Sequence, residues 1–235
     1  MLGSFASVLI YRLPQGLNKT FNLITPRSHC VSCKEKISVV NLIPLISYIL
    51  LKGKCGNCNQ RISVWYVVHE IFLALACLLL VYQFGINDIK TWLLIIIIML
   101  LYIQAISDLN TLLLSNSISL VLILMGLVLN IYFNFYVHIY DVILGTTLGF
   151  LMLWVINMVY KLYKGVNGID QGDFLMLSAS GALLGASSLG TVLLCGSIIS
   201  IGAYYFIRNK HGQYIPLGSG ISFVSIIYLF VIILN

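Results

Sequence analysis

Seven stretches of this chain, 64–84, 91–107, 112–133, 142–160, 174–189, 191–207 and 216–234, are almost free of charge. Each is close to the ~20 residues that a helix needs to cross the hydrocarbon of a bilayer. Backbone amides find no partners in lipid, so a spanning segment must be a helix or a strand of a closed barrel, and these runs lack the alternating rhythm of barrel strands. The predicted fold is therefore all-α, a polytopic membrane bundle. With 60% hydrophobic and 9% charged residues, the chain lies far outside the soluble range of roughly a quarter charged. An eighth apolar segment, 1–13, is short and has no basic start, so it does not read as a cleavable signal peptide. It is either a partial or shallow first crossing, or one whose first ~10 residues precede the given start.

Alternating crossings from an inward-running first segment place Arg12, Lys19, Arg27, Lys34, Lys36, Lys52, Lys54 and Arg61 in one cytoplasmic loop. The same threading puts Lys161, Lys164, Arg208 and Lys210 inside and leaves Lys90 outside. That asymmetry follows the positive-inside rule, because loops rich in Lys and Arg are retained in the cytoplasm during insertion. The net charge of +6 is then accounted for by orientation and by attraction to anionic lipid, and no nucleic-acid partner is expected. The predicted organisation is a first membrane segment at 1–13, a cytoplasmic loop at 14–63 and a membrane core with seven helices at 64–235.

Within the loop, Cys30-x2-Cys33 and Cys55-x2-Cys58 are separated by 21 residues. Each pair sets two sulfurs on a tight turn, and the intervening chain can bring both pairs round one ion to complete a tetrahedron. The expectation is a structural Zn2+, since four thiolates leave no open position for water. Disulfides are the competing reading, disfavoured in a cytoplasmic loop, and four unrelated thiols are another. Residues 39–51 are apolar but too short to span, and are expected to lie in or dip into the interface.

Of seven acidic residues, Asp108, Asp170 and Asp173 fall at the cytoplasmic ends of predicted helices. Ionisable groups near hydrocarbon are costly and by default face a cavity. Two carboxylates held together share a proton, so one can take a proton from water while the other protonates a carbonyl or leaving amine. Spacing alone leaves this chemistry open beside helix capping or placement in wet headgroups.

These residues also resemble the prepilin peptidases, or type IV leader peptidases, membrane aspartic peptidases of the GxGD type. The likeness runs through Gly3-Ser4-Phe5, Arg12-Leu13-Pro14, the cysteine blocks, Asn41 to Tyr48, Gly53-Lys54, Asp108-Leu109, Gly168 to Asp173 and Ile215-Pro216-Leu217-Gly218. The resemblance implies catalytic roles for Asp108 and Asp173. The implied activity is an endopeptidase of the bacterial plasma membrane that removes the cytoplasmic leader of prepilin-like proteins serving pili, DNA uptake or secretion. Many members also N-methylate the new terminus with S-adenosylmethionine, an activity the resemblance attaches to Gly53 and Lys54. Four departures stand out: Asp170 replaces a glycine, Leu175 a lysine, Ser115-Asn116 a proline and aspartate, and Val31 a proline. Two competing classes follow: a methyltransferase or pilus-assembly protein of the same family with impaired proteolysis, and a transporter. The transporter is disfavoured because no charged residue marks a mid-membrane path.

Overall fold

In a computed structural model, residues 2–12, 33, 35, 47–48, 50–211 and 214–234 are described. They form eight α-helices and no named strand: α1 Leu2–Arg12, α2 Trp65–Phe84, α3 Ile89–Thr111, α4 Asn116–Phe133, α5 Ile139–Lys164, α6 Gln171–Leu184, α7 Leu189–His211 and α8 Leu217–Leu234. The all-α expectation holds. The chain divides into two compact units, Met1–Tyr82 and Gln83–Asn235. Cys30, the basic residues from Lys19 to Lys36 and most of the segment 39–51 lie outside the described residues.

Six helices are long and apolar enough to cross a bilayer. The exception in the larger unit is α6, expected as a crossing over 174–189 but only 14 residues long. At 1.5 Å per residue it covers about 21 Å, well short of the ~30 Å hydrocarbon. Gly185, at φ 83°, ends it, and a 3-10 turn, Ala186–Ser188, leads into α7. A short helix is tolerable here because neighbours rather than lipid surround it. Every residue from Met176 to Leu184 is buried, packed by α4, α5 and α8.

The surface departs from that of a soluble protein. Leu75, Leu78, Leu124, Leu194 and Ile198 are all at least 60% exposed, whereas Gln104, Ser180, Ser219, Ser222 and Ser225 are fully covered. Apolar groups facing outward and polar groups paired inside match a protein whose solvent is lipid. Ser180 Oγ meets Ser225 Oγ at 2.8 Å, joining α6 to α8, and Ser178 donates to the Thr146 carbonyl at 2.8 Å, joining α6 to α5.

Lipid offers little drive for helices to associate, so small residues that let backbones approach are needed. A Cβ on Gly149 would lie 2.6 Å from the Leu177 carbonyl oxygen, and one on Gly126 would lie 2.9 Å from the Ala182 carbonyl carbon. A Cβ on Gly181 would run into the backbone of Gly145. Gly145, Gly149 and Gly181 thus serve helix contact, while Gly185 terminates α6. In the smaller unit the same device operates at Gly3, where an added Cβ would lie 2.5 Å from the Glu70 backbone. His69 and Glu70 are buried, at 7% exposure each.

Gly181→Val forces two backbones apart and is expected to destabilise the bundle by at least the ~1–3 kcal/mol typical of overpacking. Gly190→Ala, where nothing lies within 4 Å of the added Cβ, should leave stability unchanged. Thermal unfolding of the two variants in detergent checks the contrast.

Candidate active site and metal centre

At one end of the larger unit, three helix termini converge. Asp108 lies in the last turn of α3, Asp173 in the first turn of α6, and Gly218 and Ser219 in the first turn of α8. The N–H of Ser219 donates to Asp108 Oδ2 at 2.6 Å, and the N–H of Gly218 donates to the Asp173 carboxylate. Two successive backbone donors thus hold two carboxylates from different helices. The first N–H groups of a helix have no intrahelical acceptor and carry the positive end of its dipole, so they suit anionic partners. The two acids lie within electrostatic reach of each other, and Asp170 within reach of both. Asp108 is 4% exposed and Asp173 half-buried.

Asp173 also accepts from the backbone N–H of Asp170. Asp170 is the N-cap of α6, its side chain makes no cap bond, and its carbonyl accepts the N–H of Asp173 at 3.2 Å.

Glycine is needed where these elements meet. A Cβ on Gly218 would lie 3.0 Å from Asp173 Oδ1 and would collide with Leu114, and one on Gly172 would lie 2.7 Å from Leu114 Cβ. Leu114, in the link after α3, therefore wedges against both helix starts, and bare backbone there lets α6 and α8 close on it.

Two buried amides, which the sequence reading passed over, fix the links on either side. Gln104, fully buried on α3, accepts the N–H of Ser115 at 3.0 Å and donates to the Ser115 carbonyl at 3.0 Å and Ser119 Oγ at 2.9 Å. Where the resemblance expects a proline, Ser115 thus supplies an N–H that proline lacks. Asn157 on α5 accepts the N–H groups of Gly168 at 2.8 Å and Ile169 at 3.0 Å, setting the approach to Asp170 and Asp173. The available signal was an amide inside an otherwise apolar run, where an unpaired polar group is expensive.

Lys161 and Lys164, both exposed, occupy the last turn of α5 at the same end as the acids. Lys90 stands at the start of α3, its ammonium 5.8 Å from the Phe133 ring centroid at the end of α4.

In the smaller unit, the sulfurs of Cys33, Cys55 and Cys58 lie within 4.8 Å of one another. A tetrahedral thiolate site with Zn–S of ~2.3 Å requires sulfurs about 3.8 Å apart, so the three described thiols fit a zinc ion. Local folding explains the grouping: Lys54 and Arg61 pair as an antiparallel bridge, Cys55 donates to the Gln60 carbonyl at 2.8 Å, and Ile62 to that of Gly53 at 2.8 Å. Gly53 has φ 69°, and a Cβ on it would lie 2.9 Å from the Tyr48 ring, so this turn requires glycine. Gly53 is buried and Lys54 exposed.

The fold and site define an integral membrane protein with an acid pair held at helix ends. Residues 1–84 match the model of the bacterial peptidase A24 N-terminal domain, and residues 94–207 match that of the type IV leader peptidase family. The chain is 33% identical to a prepilin leader peptidase/N-methyltransferase of Neisseria gonorrhoeae, covering 94% of this chain and 84% of that protein. It is 31% identical to one from Pseudomonas putida (93% and 83% covered) and 29% identical to one from Vibrio cholerae (98% and 92% covered). No solved structure gives a significant match. The chain belongs to the type IV leader peptidase family.

Gln104→Leu leaves the Ser115 N–H without its acceptor and is expected to destabilise by ~1–3 kcal/mol. Ser115→Pro removes that same donor, so it should be less damaging in the Gln104→Leu background than alone. A double-mutant cycle on denaturation midpoints measures the coupling.

Proposed function

We propose that the protein is a prepilin leader peptidase in which Asp108 and Asp173 perform hydrolysis, and that it also N-methylates the new terminus. The observation that carries the peptidase reading is the attachment of both carboxylates to the adjacent N–H groups of Gly218 and Ser219. That arrangement keeps two acids from separate helices at one place, where they share a proton. The unprotonated member takes a proton from water as it attacks the scissile carbonyl, and the protonated member donates to the carbonyl oxygen. Collapse of the tetrahedral species returns a proton to the leaving amine. The intact pair favours this reading over an impaired peptidase or assembly protein, despite Asp170 and Leu175.

The substrate is a prepilin-like protein whose apolar helix stays in the bilayer while its leader crosses the acid pair. Lys161 and Lys164 at the same end as the acids, with Lys90 at the other end, support a site on the cytoplasmic face of a bacterial plasma membrane. The Cys loop, proposed to span 14–63, takes a structural zinc through Cys33, Cys55 and Cys58, with Cys30 as the fourth ligand. Gly53 and Lys54 are the proposed S-adenosylmethionine contacts, the exposed Lys54 ammonium suiting the carboxylate of that molecule. When bound, S-adenosylmethionine supplies the methyl group for the new amino terminus.

Asp108→Asn and Asp173→Asn should each lower cleavage of a co-expressed prepilin-like substrate by ~10²–10⁴-fold. Gly218→Ala should lower it too by displacing Asp173. Gel-shift kinetics of leader removal provide the readout, and full activity in both Asn variants would overturn the assignment.

Cys55→Ser is expected to lower bound zinc to a small fraction of one equivalent and to reduce thermal stability. Elemental analysis of the purified protein tests this independently of activity; undiminished zinc would exclude Cys55 as a ligand.

A further inference from the structure

Between the face of α5 and the first turn of α6 lies a cavity of about 360 Å³, near the lower limit of the ~300–1,000 Å³ usual for small-ligand sites. Part of its lining is aromatic: Phe150 and Phe174, edge to face at 5.9 Å between centroids, together with Trp154. Its polar lining includes Asn167, Asp170 and Gln171. Among the described residues no Lys or Arg lines it, and Asp170 is the one formal charge among them. Although Asp170 is the N-cap of α6, its side chain accepts no cap hydrogen bond. The carboxylate is therefore not committed to the helix, and it is exposed.

A carboxylate beside aromatic faces selects a positively charged organic group: the carboxylate accepts charge-assisted hydrogen bonds, and ring faces attract a cation. A cavity this size admits one long side chain. Asp170 is three residues from Asp173 and within electrostatic reach of both acids of the pair, so a peptide crossing the pair passes the cavity. We infer that the cavity between α5 and α6 is a substrate subsite that takes a lysine ammonium or arginine guanidinium flanking the cleaved bond, with Asp170 as the residue that reads its charge. This rests on the peptidase reading above. It gives a role to the position where the chain departs from the glycine of the family pattern.

The test uses the full-length protein in nanodiscs and a prepilin-like substrate whose Lys and Arg residues near the cleaved bond are replaced singly by Gln. At one position, replacement is expected to lower kcat/KM by about tenfold. Asp170→Asn should bring that ratio close to one, Trp154→Leu should reduce it, and Asp170→Lys should prefer Glu at the same position. A ratio that is the same in wild type and Asp170→Asn, or no position sensitive to charge, overturns the proposal. If instead cleavage depends on phosphatidylethanolamine in the nanodisc, equally for all substrates, and Asp170→Asn removes that dependence, the cavity belongs to a lipid headgroup and the proposal also fails. The outcome is separable from the peptidase reading, which stands or falls on the Asp108→Asn and Asp173→Asn variants.

Discussion

A helix that starts within a bilayer protein has N–H groups with neither intrahelical acceptors nor ready access to water. At the start of α8 that demand is met by Asp108 and Asp173, acids from two other helices. The requirement runs both ways. Carboxylates beside hydrocarbon need donors, and helix starts need acceptors, so one arrangement resolves two penalties and ties α3, α6 and α8 together. The glycines at 172 and 218 follow from it, because side chains there would push the termini away from Leu114.

The same logic governs the connections. Gln104, Asn130 and Asn157 each stand on a helix and accept backbone N–H groups from a link that follows: Ser115, Tyr136 and Val137, and Gly168 and Ile169. Irregular backbone is tolerable near membrane depth when its polar groups are answered from within the protein. Here a single amide answers up to two at a time. Asn130 also donates to the Ala182 and Leu183 carbonyls at the far end of α6, so both ends of the short central helix are held by amides.

Much of this was legible in the sequence. Charge-free runs of spanning length located six long helices, because lipid imposes its own period-free signature. The acids stood out because so few charges occur near the apolar runs, and the C-x2-C spacing pointed to the cluster now seen for Cys33, Cys55 and Cys58. What was not legible depended on neighbours. The extent of α6 is set by protein packing rather than by bilayer thickness, so an apolar run over 174–189 gave no sign of its end at Leu184. Gln104 and Asn157 carry no motif, and their roles depend on loops that fold back several residues along the chain. The donors for the acid pair are backbone groups, on which composition is silent.

One further consequence lies in the mismatch between α5 and α6. Asn157 meets the link to α6 seven residues before Lys164, the last residue of α5, so the link returns about 10 Å along that helix before α6 begins. Its residues 165–170 are exposed or half-exposed, and their polar groups draw water to that level. The outer turns of α5, with Tyr160, Tyr163 and two lysines, reach past it toward headgroup height. The hydrophobic girdle is therefore lower on one side than on the other, and lipids bordering the low side must shorten or tilt to meet it.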